Sequence, residues 1–317
     1  MREIINLQRN EEVTLERAFD IFISEKRAMK LTDETIKTYG DRFETFTRFF
    51  PSDNACCLVT SSTIFQFIEF LQKRNPEIKT TTINNYLRHL RAVFYHFMEA
   101  GYMQRFTIRM LKCEEELKDL YTIPELERLL KKPDIKKVRF SEYRNWVIVN
   151  YLLATGNRLK TVSNLKIGDI DFENQEIALK KVKNKRPYII PLAPTLKKIL
   201  IEYLKYRQGE PDDFLFCNQY GNQWKSSSIE TSIYRYNHSR GVTKTGIHLF
   251  RHTFATEYVR NGGGEYKLQK LLGHSTPSQT RRYVELVVSD LKQDYEEFNP
   301  LEKINALKDK KAIKTHK

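Results

Sequence analysis

HLFRHTFATEYVRNGGGEYKLQKLLGHSTPSQTRRYVEL, residues 248–286, sets out polar groups in a fixed order: His248, Arg251, His274, Arg281, Arg282 and Tyr283. The span His248–Gly262 reads as one amphipathic helix, in which residues three apart share a face, so His248 and Arg251 point to one region. Gly273 permits a tight turn, and the LGH triplet also suits the end of a helix. A further helix is expected from Ser275 or Thr276, with Pro277 just inside its start. Tyr283 falls within it. Two more cationic stretches lie upstream. ATGNRLKTVSNL (154–165) holds Arg158, and KVKNKRPYIIPL (181–192) holds Lys181, Lys183, Lys185 and Arg186 next to Lys180.

The rest of the chain bounds what these groups can do. With 317 residues there is room for two domains with real cores. A formal net charge of +14 favours a polyanionic partner such as nucleic acid. No apolar run approaches the ~20 residues needed to cross a bilayer. The first residues, MREIINLQRNEEVTLERAF, lack the continuous apolar core of a signal peptide, so a cytoplasmic protein is expected. The four cysteines, Cys56, Cys57, Cys113 and Cys217, form no CxxC pair and read as reduced structural thiols. His248 and His252 are spaced like paired zinc ligands. The zinc-protease pattern needs glutamate directly after the first histidine, and Leu249 stands there. No metal and no cofactor is expected, and His252 reads as structural.

Residues 12–101 read as four helices. The first starts near Thr14, and the second is capped by Thr32 and stopped by Pro51 after a stripe of Ile36, Tyr39, Phe43, Phe46 and Phe50. The third begins near Ser61 or Ser62. The fourth follows Thr80–Thr82 and carries a polar side with Asn84, Asn85, Arg88, His89 and Arg91. Residues 102–120 form a linker, extended or helical, with the charged run KCEEELKD. The next domain, 121–298, opens on a capping box at Thr122 and Glu125. A helix through Trp146 to Gly156 follows, then three short strands between 169 and 192, then helices resuming after Pro194. Asn299-Pro-Leu-Glu302 starts a final short helix with the stripe Leu301, Ile304 and Leu307. Its lysine-rich end closes the tail at 299–317. A helix so short must dock its stripe on its own domain or on a neighbour.

The constellation solves three problems of metal-free phosphodiester cleavage. Arginines such as Arg158 and Arg251 neutralise the phosphate with paired hydrogen bonds. Tyr283 is the candidate nucleophile, with His248 as its proton acceptor. His274 would hydrogen-bond the phosphate. A lysine of the run Lys180, Lys181, Lys183 and Lys185 would protonate the departing sugar oxygen.

In this order and spacing the chain resembles the tyrosine recombinase (phage integrase) family, with an Xer-like two-domain layout. The LGH-to-tyrosine step of nine residues matches the family, and counting back from Pro191-Leu192 places the family's hairpin lysine on Lys183. The resemblance implies a mainly α fold: a helical, SAM-like core-binding domain and an α+β catalytic domain with a small antiparallel sheet. It implies a site-specific DNA recombinase that cuts and rejoins double-stranded DNA through a 3′-phosphotyrosine, without metal or ATP. It further implies a tetramer on two duplexes, with the C-terminal helix donated to the next protomer. DNA contacts are expected at Arg88, His89, Arg91, Lys181, Lys185, Arg281 and Arg282. Integration or transposition of a mobile element is the favoured role. A Xer-type chromosome or plasmid resolvase, a type IB topoisomerase and a non-catalytic DNA-binding protein are the alternatives. The family often has an acidic residue three positions after the first arginine. Thr161 stands there instead, which leaves the partner that orients Arg158 open.

Overall fold

Threonines cap the first three helices of the N-terminal half. The Thr14 side chain accepts the amide of Arg17 at 3.3 Å, and α1 runs over Leu15–Ala28. Thr32 likewise caps α2, Asp33–Thr47. Thr60 and Thr63 form a reciprocal capping box at α3, Ser61–Arg74, which starts at the first of the two serines. α4 covers Thr80–Glu99, and Gly101 follows it at φ 77°. This is a computed structural model, and it describes residues 13–113, 119–180, 187–274, 276–277, 280–281 and 283. The chain divides into two units, Met1–Glu116 and Leu117–Lys317.

The first unit is held by aromatic rings. Phe46 meets Phe67 and Phe94 edge-on at 5.2 and 5.1 Å. Phe22, Phe67, Phe94 and Phe97 are wholly buried around them. α2 ends at Thr47 rather than continuing to Phe50. The amides of Phe49 and Phe50 both turn back to the carbonyl of Phe46, at 3.0 and 2.9 Å. The residue before a proline avoids helical geometry, so the chain tightens ahead of Pro51. Both rings still pack on the core.

Residues 102–113, expected to be linker, have no regular secondary structure but belong to this core. Met103 and Ile108 are buried in it. Asn84, expected on a polar outer side of α4, is buried instead. Its amide nitrogen donates to the Leu111 carbonyl at 2.8 Å, and its oxygen accepts the Leu111 amide at 2.8 Å. One side chain thus mimics a strand partner for an otherwise unpaired backbone.

In the second unit, the capping box at Thr122 and Glu125 starts α5, Ile123–Leu130. The central helix α6, Phe140–Thr155, is buried on nearly all sides, and it touches α5 and three later helices. It stops at Gly156, which adopts φ 60°. There a Cβ would lie 2.5 Å from Phe254 and 2.9 Å from Leu272, so glycine serves both the turn and the packing. A short helix, α7 (Leu159–Val162), leads to a three-stranded antiparallel sheet. Its strands are β1 Ile170–Asp171, β2 Glu176–Leu179 and β3 Tyr188–Pro191, in sequential order. Then come α8 Pro194–Arg207, α9 Ser226–Ser239, α10 Ile247–Arg260 and α11 Glu265–Leu272. The expected mainly helical fold with a small antiparallel sheet is what the molecule has. Residues 299–317, with their proposed terminal helix, lie outside the described residues.

Removing the Asn84 amide strands a buried backbone donor and acceptor, at about 1–3 kcal/mol. Asn84→Ala is therefore expected to speed proteolysis within 102–113 selectively. Cleavage there at the wild-type rate would show that the segment docks without this clamp.

Candidate active site

The end of α6, the middle of α10, the end of α11 and the segment bearing Tyr283 meet at one guanidinium. Arg251, on α10, is only 6% exposed. It donates to the Gly156 carbonyl at 2.7 Å and to the Leu272 carbonyl at 2.9 Å. Both oxygens belong to helix ends, where carbonyls lack a helical partner and the helix dipole is negative. The cation therefore caps α6 and α11 together. Burial and the nearby positive charge of Arg158 push its pKa down to about 10, so it stays charged at neutral pH.

Arg251 also hydrogen-bonds His274, with its Nη2 2.7 Å from the ring Nε2. A guanidinium has only donors, so Nε2 must accept. The ring proton then sits on Nδ1, which donates to the Thr280 hydroxyl at 2.8 Å. Burial, with the charges of Arg251 and Arg158, lowers the His274 pKa to about 4, so the ring is neutral at pH 7. From the sequence, His274 is expected to bond phosphate; in this structure its two ring nitrogens tie Arg251 to Thr280.

Thr280 is wholly buried. Its amide and that of Arg281 bond to the Pro277 carbonyl, at 2.8 and 3.0 Å, and residues 280, 281 and 283 are helical. Thr280 precedes Tyr283 by three, so the two share a helix face. Tyr283 is 6% exposed and lies close enough to the Arg251 guanidinium to act on it electrostatically. Its ring lies between two imidazoles: His274, with centroids 6.3 Å apart and planes within 8°, and His252, at 5.5 Å and 44°. The spacing of His252 in the sequence carries no sign of this ring contact with Tyr283. His248 sits exposed in the first turn of α10.

Arg158 precedes α7 as its N-cap residue and is half-buried. Its charge acts on Arg251, His274 and Tyr188. Among the described residues nothing hydrogen-bonds its side chain. Thr161 is buried and meets Arg158 only through the backbone, its amide on the Arg158 carbonyl at 2.8 Å. The neighbouring Asn157 side chain donates to the Tyr151 hydroxyl at 2.8 Å.

Of the hairpin lysines, Lys180 pairs with the buried Asp169 at 2.7 Å. Lys181, Lys183 and Lys185 lie outside the described residues, as does Arg282. Arg281 is exposed. In the N-terminal unit Arg88 is exposed and Arg91 half-buried. The His89 ring bonds the Asn85 carbonyl at 2.8 Å and stands edge-on to Tyr39 at 5.5 Å.

Residues 121–289, more than half of the chain, match the phage integrase family, and residues 14–112 match the phage integrase SAM-like domain. The chain belongs to the phage integrase family. It is 26% identical over 282 residues to a tyrosine recombinase of Pseudothermotoga lettingae, a match covering 87% of this chain and 93% of that one. It is 30% identical over 197 residues to tyrosine recombinase XerD of Staphylococcus haemolyticus, covering 60% of this chain and 65% of the relative, just under two thirds. The fold is shared with the Tn1549 transposon integrase in complex with a circular intermediate DNA: TM-score 0.72, 21% identity, 85% of this chain and 94% of the integrase. The family places the protein among enzymes that cut and rejoin DNA through a tyrosine, in site-specific recombination. No helix among the described residues is long and apolar enough to cross a membrane.

The geometry dictates how His274 titrates. Its folded pKa lies below the ordinary value of 6.5, so the unfolded chain binds the extra proton first. The stability it contributes is present above pH 6.5 and is lost as pH falls towards 4. An NMR titration is expected to give a midpoint near 4 for His274 and a higher one in Arg251→Ala, where the opposing charge is gone. A wild-type midpoint near 6.5 would contradict the buried contact.

Proposed function

We propose that Tyr283 is the nucleophile of a site-specific recombinase that serves a mobile element. The observation that carries this reading is the chain of contacts Thr280–His274–Arg251–Tyr283. It fixes a phenol against a buried cation at the point where a second arginine acts. Two arginines beside one hydroxyl in a low-dielectric site stabilise the charge that builds on a five-coordinate phosphorus far more than they would in water.

The phenol oxygen attacks a DNA phosphate, forming a phosphorus–oxygen bond to Tyr283 and breaking the bond to the 5′ oxygen. The product is a 3′-phosphotyrosine and a free 5′-hydroxyl. The phenol proton passes to an imidazole beside it, His248 or His252. The departing oxygen takes a proton from Lys183. A 5′-hydroxyl of the partner strand reverses the step, so bond energy is conserved and no nucleotide is consumed. Arg158 and Arg251 grip the non-bridging oxygens. Arg281, Arg282, Lys181 and Lys185 bind the flanking backbone, and Arg88, His89 and Arg91 of the N-terminal unit bind the other side of the duplex. Four protomers hold two duplexes in the cytoplasm, linked by the tail 299–317.

The test uses nicked duplexes of randomised sequence, from which SDS-resistant adducts of the wild-type protein are recovered and sequenced. On the recovered duplex, Tyr283→Phe is expected to form no adduct. Arg158→Ala and Arg251→Ala are expected to lose at least about 100-fold in adduct rate while still shifting the DNA in a gel. Adduct from Tyr283→Phe would end the assignment. A chain truncated after residue 298 is expected to bind one site normally and to pair two sites poorly. Undiminished pairing would rule out a linking role for the tail.

A further inference from the structure

We propose that the hydroxyl of Tyr188 is a third hydrogen-bond donor to the phosphate held by Arg158 and Arg251. The proposal rests on the recombinase reading and adds a substrate contact to it.

Tyr188 is the first residue of β3, paired with Leu179 across the hairpin. Its ring stands directly over Gly273. A Cβ on that glycine would lie 2.7 Å from the phenolic oxygen and 2.8 Å from two ring carbons. Gly273 is the left-handed turn at the end of α11, and the next residue is His274, which holds Arg251. The phenol therefore reaches this neighbourhood from the sheet, against the turn that leads into His274. The charges of Arg251 and Arg158 both act on it, the two groups that would grip a phosphate.

The hydroxyl has one proton to give. Guanidinium groups cannot accept it, and among the described residues nothing else does. The side chain is half-buried, so the hydroxyl is not sealed off from a ligand. A bound phosphate oxygen supplies the missing acceptor. Burial raises the phenol's pKa, with the two arginines opposing, so the group stays a proton-bearing donor at neutral pH. This also separates it from Tyr283, whose oxygen must give up its proton. The requirement for glycine at 273 follows as well: any side chain there would displace the phenol.

The test is Tyr188→Phe, which removes only the oxygen and keeps the ring on Gly273. Adduct rate is read on the nicked duplex recovered with the wild-type protein. The scissile group is either phosphate or one of its two methylphosphonate diastereomers, each lacking one non-bridging oxygen. Tyr188→Phe is expected to be about 10- to 100-fold slower on phosphate, the loss of one hydrogen bond to a charged group. On the diastereomer lacking the oxygen that Tyr188 binds, variant and wild type are expected to agree within about twofold. Equal rates on phosphate would overturn the proposal. So would the same loss on phosphate and on both methylphosphonates, since a purely structural hydroxyl does not distinguish the oxygens. If the wild-type protein makes no adduct on any duplex, the recombinase reading falls and this contact with it. If it does and Tyr188→Phe keeps pace, this contact alone falls.

Discussion

A buried arginine with no carboxylate beside it among the described residues organises the catalytic unit. The guanidinium of Arg251 is charge-compensated by carbonyls at the ends of α6 and α11 rather than by an acid. A buried acid would have neutralised the positive field that a phosphate needs. Carbonyl dipoles satisfy the donors and leave the net charge in place. The same cation then constrains everything around it. Gly156 must be glycine to turn α6 towards it, Leu272 must end α11 within reach, and His274 must be neutral to accept from it.

That neutrality links charge to position. Because Arg251 can only donate, it selects the His274 tautomer with its proton on Nδ1, and this proton holds Thr280. Thr280 lies one helical turn before Tyr283. The phenol is therefore placed by a relay that begins at the same arginine whose charge it feels. A nucleophile and the charge that stabilises its product are positioned by one set of contacts, which is how a rigid site avoids reorganising during the reaction. The two imidazoles packed on Tyr283 complete the pocket.

Much of the fold was legible because its signals are local. The caps at Thr14, Thr32 and Thr122, the glycine after α6 and the three short strands all follow from short-range chemistry. What escaped was set by distant contacts. Asn84 looked like part of a solvated face, yet its partner is Leu111, 27 residues away. Residues 102–113 looked like linker because their two apolar anchors, Met103 and Ile108, show no period. In the site, Arg158, Arg251, His274 and Tyr283 came from spacing and share one electrostatic neighbourhood. His252, Thr280 and Tyr188 did not stand out, since only the folded chain brings them against Tyr283, His274 and Gly273. Only Thr280 left a trace, its three-residue step to Tyr283. Thr161 does not orient Arg158 through its side chain, so the first arginine is far less constrained than the second.

The central claim is that the relay delivers Tyr283, and no other tyrosine of the 17 in the chain, to the phosphate. Digesting the SDS-resistant adduct with protease and nuclease and sequencing the modified peptide by mass spectrometry tests it directly. The account predicts a single phosphotyrosyl nucleotide on Tyr283. The modification found on Tyr188, Tyr258 or any other residue would contradict it.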